Sequence, residues 1–181
     1  MFNKSNHCRV LIYDVLFCFV FQCVLFSHSA EAGFGGHQSL RISTRDYVEI
    51  PLEKDGNAFF LNVSINGHKT KFLLDTGATS SVLSSSAQEK YDVILTGRKA
   101  VFSGISGQTT GLGAIINDFV LGENVFLGKF RIWIIPDPFQ NRRPGVAGIL
   151  GEDVLSKYDG FIDHNSNRLF LKKKGLPKRN R

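Results

Sequence analysis

The stretch KFLLDTGATSSVL, residues 71–83, places the carboxylate of Asp75 at the end of an apolar run and directly before Thr-Gly. The run reads as a segment that enters the interior of the protein, and burial of an ionised carboxylate without a partner is very costly. An aspartate at such a position is often a simple turn former at the end of a strand. The flanking sequence decides between that interpretation and a functional carboxylate.

Short apolar runs, separated by turn residues, extend in both directions from this stretch and predict β-strands. Asn66-Gly67 between two of them predicts a two-residue hairpin, because both turn positions need positive φ. Helix is predicted only at 85–91 and 152–158. The expected domain is therefore mostly β, of the barrel or sandwich kind. The predicted strands are 47–52, 58–65, 69–74, 82–84, 100–105, 109–119, 125–135 and 168–171.

A faint internal duplication adds to this pattern. In the first unit, residues 73–77 lead to 81–83 and then to a short predicted helix. In the second, residues 125–135 lead through a loop to Gly148-Ile149-Leu150-Gly151 and a helix around 154–155. Two such halves packed face to face would give each apolar segment a matching partner.

The residues around Asp75 resemble a known active-site motif. The run Leu73-Leu74-Asp75-Thr76-Gly77-Ala78-Thr79 is similar to that of the retroviral-type, or retropepsin-like, aspartic proteases. Residues 148–155, 161–163 and 168–171 resemble the closing segment of bacterial single-domain members. The resemblance covers roughly 47–172 and implies a closed, barrel-like acid protease fold with one or two short helices and one lobe per chain.

The resemblance gives Asp75 the role of the catalytic residue. Two carboxylates that face each other can share one proton, since like charges that close cannot both ionise. The chain has a single motif of this kind, so the second carboxylate would come from another copy, which implies a homodimer. Active-site loop support is assigned to Thr76, Gly77 and Ala78, while Leu73 and Leu74 are expected to anchor the loop in the core.

Two further segments complete the predicted site. The glycine-rich stretch Gly104-Ile105-Ser106-Gly107 lies where the family has its flap, a hairpin that covers an extended peptide substrate; the alternative is an ordinary surface loop. Ile149, Leu150 and Gly151 form the second apolar-Gly motif. The resemblance implies no metal and no organic cofactor, and the scattered histidines His37, His68 and His164 have no spacing suited to a metal.

The termini read as separate segments. Residues 1–32 have the features of a signal peptide, with basic residues, an apolar run over 10–26 and an A-x-A cleavage site; a retained membrane anchor is the alternative. All three cysteines lie within this segment. A leader, 33–46, precedes the predicted protease domain, 47–172, and a basic tail follows at 173–181. The expected location is exported, either periplasmic or secreted, and membrane contact is expected only if the N-terminal segment is retained.

The net charge of +6 does not by itself indicate nucleic acid. Six of the last ten residues, 172–181, are lysine or arginine, and the remainder of the chain is close to neutral. No aromatic residues lie between these cations to stack on bases. The sequence therefore predicts an exported aspartic endopeptidase acting on peptide or protein substrates, and the alternative is a catalytically inactive peptide-binding or regulatory module of the same fold.

Overall fold

The computed structural model describes residues 43–104, 107–139 and 143–178 of the chain. Strands predominate among them, as predicted. The strands are β1 Tyr47–Pro51, β2 Glu53–Asp55, β3 Ala58–Ile65, β4 His68–Leu74, β5 Val82–Ser84, β6 Ile94–Gly104, β7 Gly107–Leu121, β8 Val125–Ile135, β9 Val146–Leu150, β10 Phe161–Asp163 and β11 Arg168–Lys172. The two α-helices are α1 Ser85–Lys90 and α2 Glu152–Lys157. Within these ranges no helix has both the length and the apolar character that crossing a bilayer requires.

Six of the strands close into a ring. The larger sheet runs in the order β2-β3-β4-β9-β5-β8-β7-β6, and β3 also pairs with β7. This extra pairing joins β3, β4, β9, β5, β8 and β7 into a barrel, and it leaves β2 and β6 as strands attached to its outside. The predicted closed, barrel-like fold is confirmed.

The strand pairings of the barrel reflect the predicted duplication. β4 pairs with β9 in parallel, and β5 pairs with β8 in parallel. In the two predicted halves, β3, β4, β5 and α1 correspond in this order to β7, β8, β9 and α2. If each element is replaced by its counterpart, the pair β4–β9 becomes the pair β8–β5. The antiparallel pairs β5–β9 and β3–β7 map onto themselves under the same exchange. The topology therefore has the approximate two-fold arrangement that the sequence indicates.

The turn chemistry explains where the strand predictions hold and where they were wrong. The two-residue turn Asn66-Gly67 has φ of 50° and 87°, as the hairpin prediction requires. β6 begins at Ile94, six residues before the predicted start. Gly97, at φ 74°, lies within a register shift between Leu95 and Lys99, which is a β-bulge. Because a glycine with positive φ is also typical of turns, the strand was predicted to start only after this bulge. The short strands β2, β9 and β10 were not predicted.

The barrel is filled by one hydrophobic core. Phe119 lies between Phe72 and Phe130, with ring centroids 5.6 and 4.9 Å away, and all three side chains are buried. Tilted aromatic pairs of this kind stabilise a core beyond the area that they bury. Leu150, at the end of β9, is fully buried in the same cluster. The strand that leads to the second apolar-Gly motif is thus anchored at the centre of the domain.

A separate three-stranded sheet, in the order β1-β11-β10, covers one side of the core. Its inner face contributes fully buried side chains, including Ile50, Leu169 and Leu171. On the other face, Phe161 stacks on Phe170 with centroids 4.7 Å apart. The strand that the sequence analysis assigned to the family's closing segment, β11, therefore lies between β1 and β10.

Asp163 organises the turn between β10 and β11. Its carboxylate accepts hydrogen bonds from the backbone N–H of Asn165, at 2.9 Å, and from the hydroxyl of Ser166, at 2.6 Å. These bonds, that of Ser166 first, lower the pKa of Asp163 below its usual value. Because the pKa is depressed in the folded state, the stabilisation is present above the unfolded pKa and is lost as the pH falls through the folded pKa.

We expect Ser166→Ala to raise the pKa of Asp163 toward the ordinary aspartate value, because the strongest donor to the ionised carboxylate is removed. An NMR titration of the Asp163 side-chain carbonyl carbon measures this pKa. Ser156→Ala, which removes a hydroxyl that donates to a different carboxylate, that of Glu152, serves as the control and is expected to leave the titration of Asp163 unchanged. An identical titration curve for Ser166→Ala and the wild type would contradict the assignment.

Close packing at the seam between β4, β9 and β5 depends on Gly148. A Cβ at this position would overlap the carbonyl oxygen of Val82 and would lie 2.8 Å from the ring of Phe72. Both neighbours are buried, so neither can move away freely.

Gly148→Ala is therefore expected to destabilise the domain by roughly 1–3 kcal/mol, the usual cost of overpacking a core. Urea denaturation measures the free energy of unfolding. Gly104→Ala is the matched control, because a Cβ at Gly104 meets nothing within 4 Å, and its backbone does not have positive φ. Equal stability of the two variants would show that the seam is not packed as described.

Candidate active site

The two apolar motifs of the sequence lie side by side. β4 and β9 are parallel neighbours, with Leu73 opposite Ile149 and Leu74 opposite Leu150. The backbone N–H of Asp75 donates to the carbonyl oxygen of Leu150 at 3.0 Å, which extends the pairing by one residue beyond β4. The Asp75 loop therefore starts at a fixed point on the barrel, next to the start of α2.

The carboxylate of Asp75 is oriented by the loop itself. The backbone N–H of Gly77 donates to its Oδ1 at 2.9 Å. A Cβ at Gly77 would lie only 3.2 Å from that oxygen, so a larger residue would crowd this contact. Among the described residues no hydrogen bond reaches the other carboxylate oxygen of Asp75. One oxygen is thus held by the loop, and the second is available to another group.

The site lies at the surface of the single chain, which corrects one sequence-based expectation. Asp75 is half-buried, and Thr76 and Gly77 are exposed, so the apolar run ends in the core but does not carry the carboxylate deep into it. Leu74 is 7% exposed and anchors the loop, as expected. Leu73 is only partly buried, because adjacent residues of a strand point to opposite faces. Ala78 is also half-buried.

A buried polar bridge joins the two loops, and the sequence analysis did not identify it. Ser81 is fully buried; its Oγ accepts the backbone N–H of Gly151 at 3.0 Å and donates to Oδ1 of Asp153 at 2.7 Å. This bond gives Asp153 a structural role. The sequence shows only a serine directly before an apolar strand. The backbone N–H of Gly151, which this serine accepts, lies 70 residues away in the sequence.

Gly151 permits the closest backbone approach in the site. A Cβ there would lie 2.7 Å from the carbonyl oxygen of Ala78 and 2.9 Å from that of Ser80. The next residue, Glu152, donates its backbone N–H to the carbonyl oxygen of Ala78 at 2.8 Å. The second apolar-Gly motif therefore supports the Asp75 loop through backbone contacts that any side chain at position 151 would disrupt.

The predicted flap corresponds to the end of the β6–β7 hairpin. The two strands pair as far as Gly104 opposite Gly107, and Gly107 has φ of 105°. The other two predicted flap residues, Ile105 and Ser106, lie outside the described residues. Two residues before this last pair, Phe102 packs edge-on against Trp133 with centroids 5.5 Å apart, and its ring covers Gly111.

Other polar candidates lie elsewhere. The imidazole of His68 packs against the ring of Tyr91, with centroids 5.9 Å apart, and the ring of His164 packs edge-on against Phe59. His37 lies outside the described residues. A groove of about 1050 Å³ is lined by Lys69, Arg168 and neighbours but by no predicted site residue. No residue of the Asp75 loop borders this groove, so the groove lies apart from the candidate site.

Comparisons with known proteins agree with this geometry. Residues 61–154, more than half of the chain, match the model of the aspartyl protease family. The UBA domain-containing protein Mud1 of Schizosaccharomyces pombe is 30% identical over 119 residues, which are 65% of this chain and 34% of Mud1. The DNA damage-inducible protein 1 of Eremothecium gossypii is 30% identical over 113 residues, which are 62% of this chain and 23% of that protein. The chain thus spans about a third or less of the length of these curated relatives.

A solved structure supports the fold. The retropepsin-like aspartic protease from Rickettsia conorii superposes with a TM-score of 0.50 at 22% identity, over 69% of this chain and 98% of that one. At this identity the likeness concerns the fold alone. On the match to the family model and on this architecture, the chain belongs to the aspartyl protease family and has the retropepsin-like fold.

Proposed function

We propose that the chain is an aspartic endopeptidase that hydrolyses peptide bonds as a homodimer. The observation that carries the proposal is the arrangement of the Asp75 carboxylate at an exposed loop. The N–H of Gly77 holds one of its oxygens, and no described residue bonds to the other. Nothing within the described chain uses that second oxygen structurally, which suits a group that works with a partner.

The second copy is needed because the chemistry takes two carboxylates. The sequence contains one Asp-Thr-Gly motif. No hydrogen bond of the described residues joins Asp75 to another acid of its own chain. A two-fold axis through the Asp75 loops would bring one carboxylate from each subunit together. The exposed Thr76 lies beside this carboxylate and is available for contact with the opposite loop.

The paired carboxylates would act as general base and general acid. With one proton between them, the ionised member removes a proton from a water molecule while that water attacks the scissile carbonyl carbon. The protonated member donates a hydrogen bond to the carbonyl oxygen, which becomes the oxyanion of the tetrahedral intermediate. The carboxyl group that took the proton from water then gives it to the leaving nitrogen, the oxyanion re-forms the C=O bond, and the C–N bond breaks.

The substrate would lie as an extended strand beneath the β6–β7 hairpin. Backbone groups at the end of such a hairpin can bond to an extended peptide regardless of its sequence, and apolar pockets then select side chains. We further propose that the protein acts after export, as its N-terminal segment indicates; residues 1–42 lie outside the described part of the chain. The physiological substrate is a peptide or protein exposed in that compartment.

Ser81 acts as a positioning residue in this proposal. It ties the strand that follows the Asp75 loop to Gly151 and Asp153, and Gly151 in turn contacts the loop backbone. A shift in this bridge moves the carboxylate relative to the two-fold axis. Small displacements of a catalytic group from its productive geometry cost much of the rate.

Asp75→Asn is expected to abolish turnover, with kcat/KM reduced at least about 10³-fold, because the amide cannot act as a base. The measurement is cleavage of an unfolded protein at mildly acidic pH. Asp92→Asn is the matched control, since Asp92 lies in an exposed turn at φ 51°, which asparagine also tolerates. Equal activity of the wild type and Asp75→Asn would refute the enzymatic proposal and favour the inactive binding module.

Dimerisation is tested by the same assay across protein concentrations. Specific activity should rise with concentration until the dimer saturates, and a pepstatin-type inhibitor should abolish it. Mixing with excess Asp75→Asn should also lower the activity of the wild type, because mixed dimers carry one carboxylate. Specific activity that is independent of concentration and of the inactive variant would contradict a site shared between two copies.

Ser81→Ala is expected to lower stability by about 1–3 kcal/mol, since the buried N–H of Gly151 loses its acceptor. It should also lower kcat more than it raises KM, because the loop is displaced rather than the substrate pockets. Ser156→Ala, which removes an exposed hydroxyl–carboxylate bond, is the control for both measurements. Unchanged kcat in a destabilised Ser81→Ala would show that the bridge is structural only.

A further inference from the structure

The exposed apolar side chains of the described residues are concentrated on one hairpin. Four large hydrophobic side chains are exposed there, and all of them belong to β6 or β7: Val101 is 67% exposed, Ile94 53%, Leu95 44% and Leu112 36%. Scattered single hydrophobics on a surface need no explanation, whereas a group on two paired strands does. We call these four residues the hairpin patch.

The register of the strands makes part of the hairpin patch continuous. Lys99 lies opposite Leu112 and Val101 opposite Thr110, so Val101 and Leu112 share a face of the hairpin as diagonal neighbours. Leu95 lies opposite Ala114 on the same face. Ile94 is on the other face, at the same outer edge. The apolar surface therefore wraps around the free edge of β6.

Cations lie on both faces of the sheet beside the hairpin patch: Lys99, opposite Leu112, shares the face of Val101, and Arg131, opposite Ile115, shares the face of Ile94. Arg98 and Lys99 lie within the same stretch of β6, and Lys129 and Arg131 lie on β8; all four side chains are exposed. None of them forms an ion pair with a described residue. Neither β6 nor β8 contains an acidic residue, and β7 contains one, Asp118, beyond the part that pairs with β6. A positive and apolar surface complements one that is negative and apolar.

A second copy of the chain fits this surface poorly. Antiparallel pairing of two β6 strands about their central residue would bring Lys99 opposite Lys99 of the other copy, and like charges directly opposite are destabilising. The bulge at Gly97 also interrupts the edge, a common device against strand addition. The free edge of β6 is therefore poorly suited to pairing with another strand, although apolar side chains are exposed along it.

We propose that the hairpin patch docks on an anionic lipid surface. The apolar side chains would enter the interface between headgroups and acyl chains, and the cations would contact lipid phosphates. At this depth, headgroups and water still satisfy the free backbone N–H and C=O groups of β6. Docking would hold the β6–β7 hairpin, and with it the Asp75 site, next to the membrane. This step rests on no property of the N-terminal segment.

The proposal is tested with full-length protein and vesicles made of equal parts phosphatidylcholine and phosphatidylglycerol. Each cation at an anionic surface contributes about fivefold to binding, so Arg98→Gln with Lys99→Gln should weaken binding by about 25-fold. Leu95→Ser with Val101→Ser should weaken it by about tenfold. Lys54→Gln with Lys157→Gln removes two exposed cations elsewhere and is expected to have little effect. Equal weakening by both charge variants would reduce the interaction to net charge and overturn the proposal.

A fluorescence measurement excludes a contribution from residues 1–32. Trp133 is the single tryptophan of the chain, so in a Trp133→Phe background one reporter can be introduced at a time. Vesicles with brominated acyl chains should quench Val101→Trp but not Asn165→Trp, which lies in the exposed turn between β10 and β11. Docking through the hairpin would be overturned if both reporters were quenched equally. It would also be overturned if the protein bound to the vesicles and neither reporter was quenched.

The same variants distinguish other occupants. Binding of an acidic Glu-Leu copolymer that protects Val101→Trp, without any lipid quenching, would replace the membrane by an acidic protein partner. Association in sedimentation that Leu95→Ser abolishes would indicate a second copy. Because the readouts are binding and quenching, they can be measured in Asp75→Asn, and they fail or succeed independently of proteolysis.

Discussion

The contact between the ends of β4 and β9 is the constraint on which the rest of the structure depends. Two backbone hydrogen bonds, from Asp75 to Leu150 and from Glu152 to Ala78, bring the two loops together. This close approach requires that residue 151 has no side chain. The hydroxyl of Ser81 accepts the hydrogen bond of the backbone N–H of Gly151. This junction positions the carboxylate of Asp75, because these backbone contacts hold the loop that carries it.

The barrel explains why such a junction can be rigid. Parallel strands β4 and β9 run from the centre of the core, where Phe72 and Leu150 are fully buried, to the surface at which the loops meet. The approximate two-fold arrangement gives the opposite side of the barrel the same support, through β5 and β8. The interior therefore supplies stability, while the residues of the candidate site lie in loops at its surface.

The sequence predicted the fold more successfully than it predicted the details of the strands and of the candidate site. Apolar runs and the Asn66-Gly67 turn are local signals, so β3, β4, β7 and β8 were found with nearly correct bounds. The first half of β6 was not predicted as strand, because Gly97 and two cations have turn-like composition. The Ser81–Asp153 bond could not be predicted, since no local pattern links residues so far apart. The depth of Asp75 was overestimated, because strand alternation and loop direction, rather than the apolar run before it, set its exposure. Its catalytic role stays a prediction until activity is measured.

The position of β11 has a consequence for assembly. Both edges of this strand are occupied within its own chain, by β1 on one side and β10 on the other. If the chain forms the proposed homodimer, two protomers would, over the described residues, meet as separately folded domains and would not exchange β11. Folding and pairing would then be separate equilibria, each with its own midpoint. Dilution would then uncouple subunits that remain folded, and the cell could set the amount of paired protein through expression level alone.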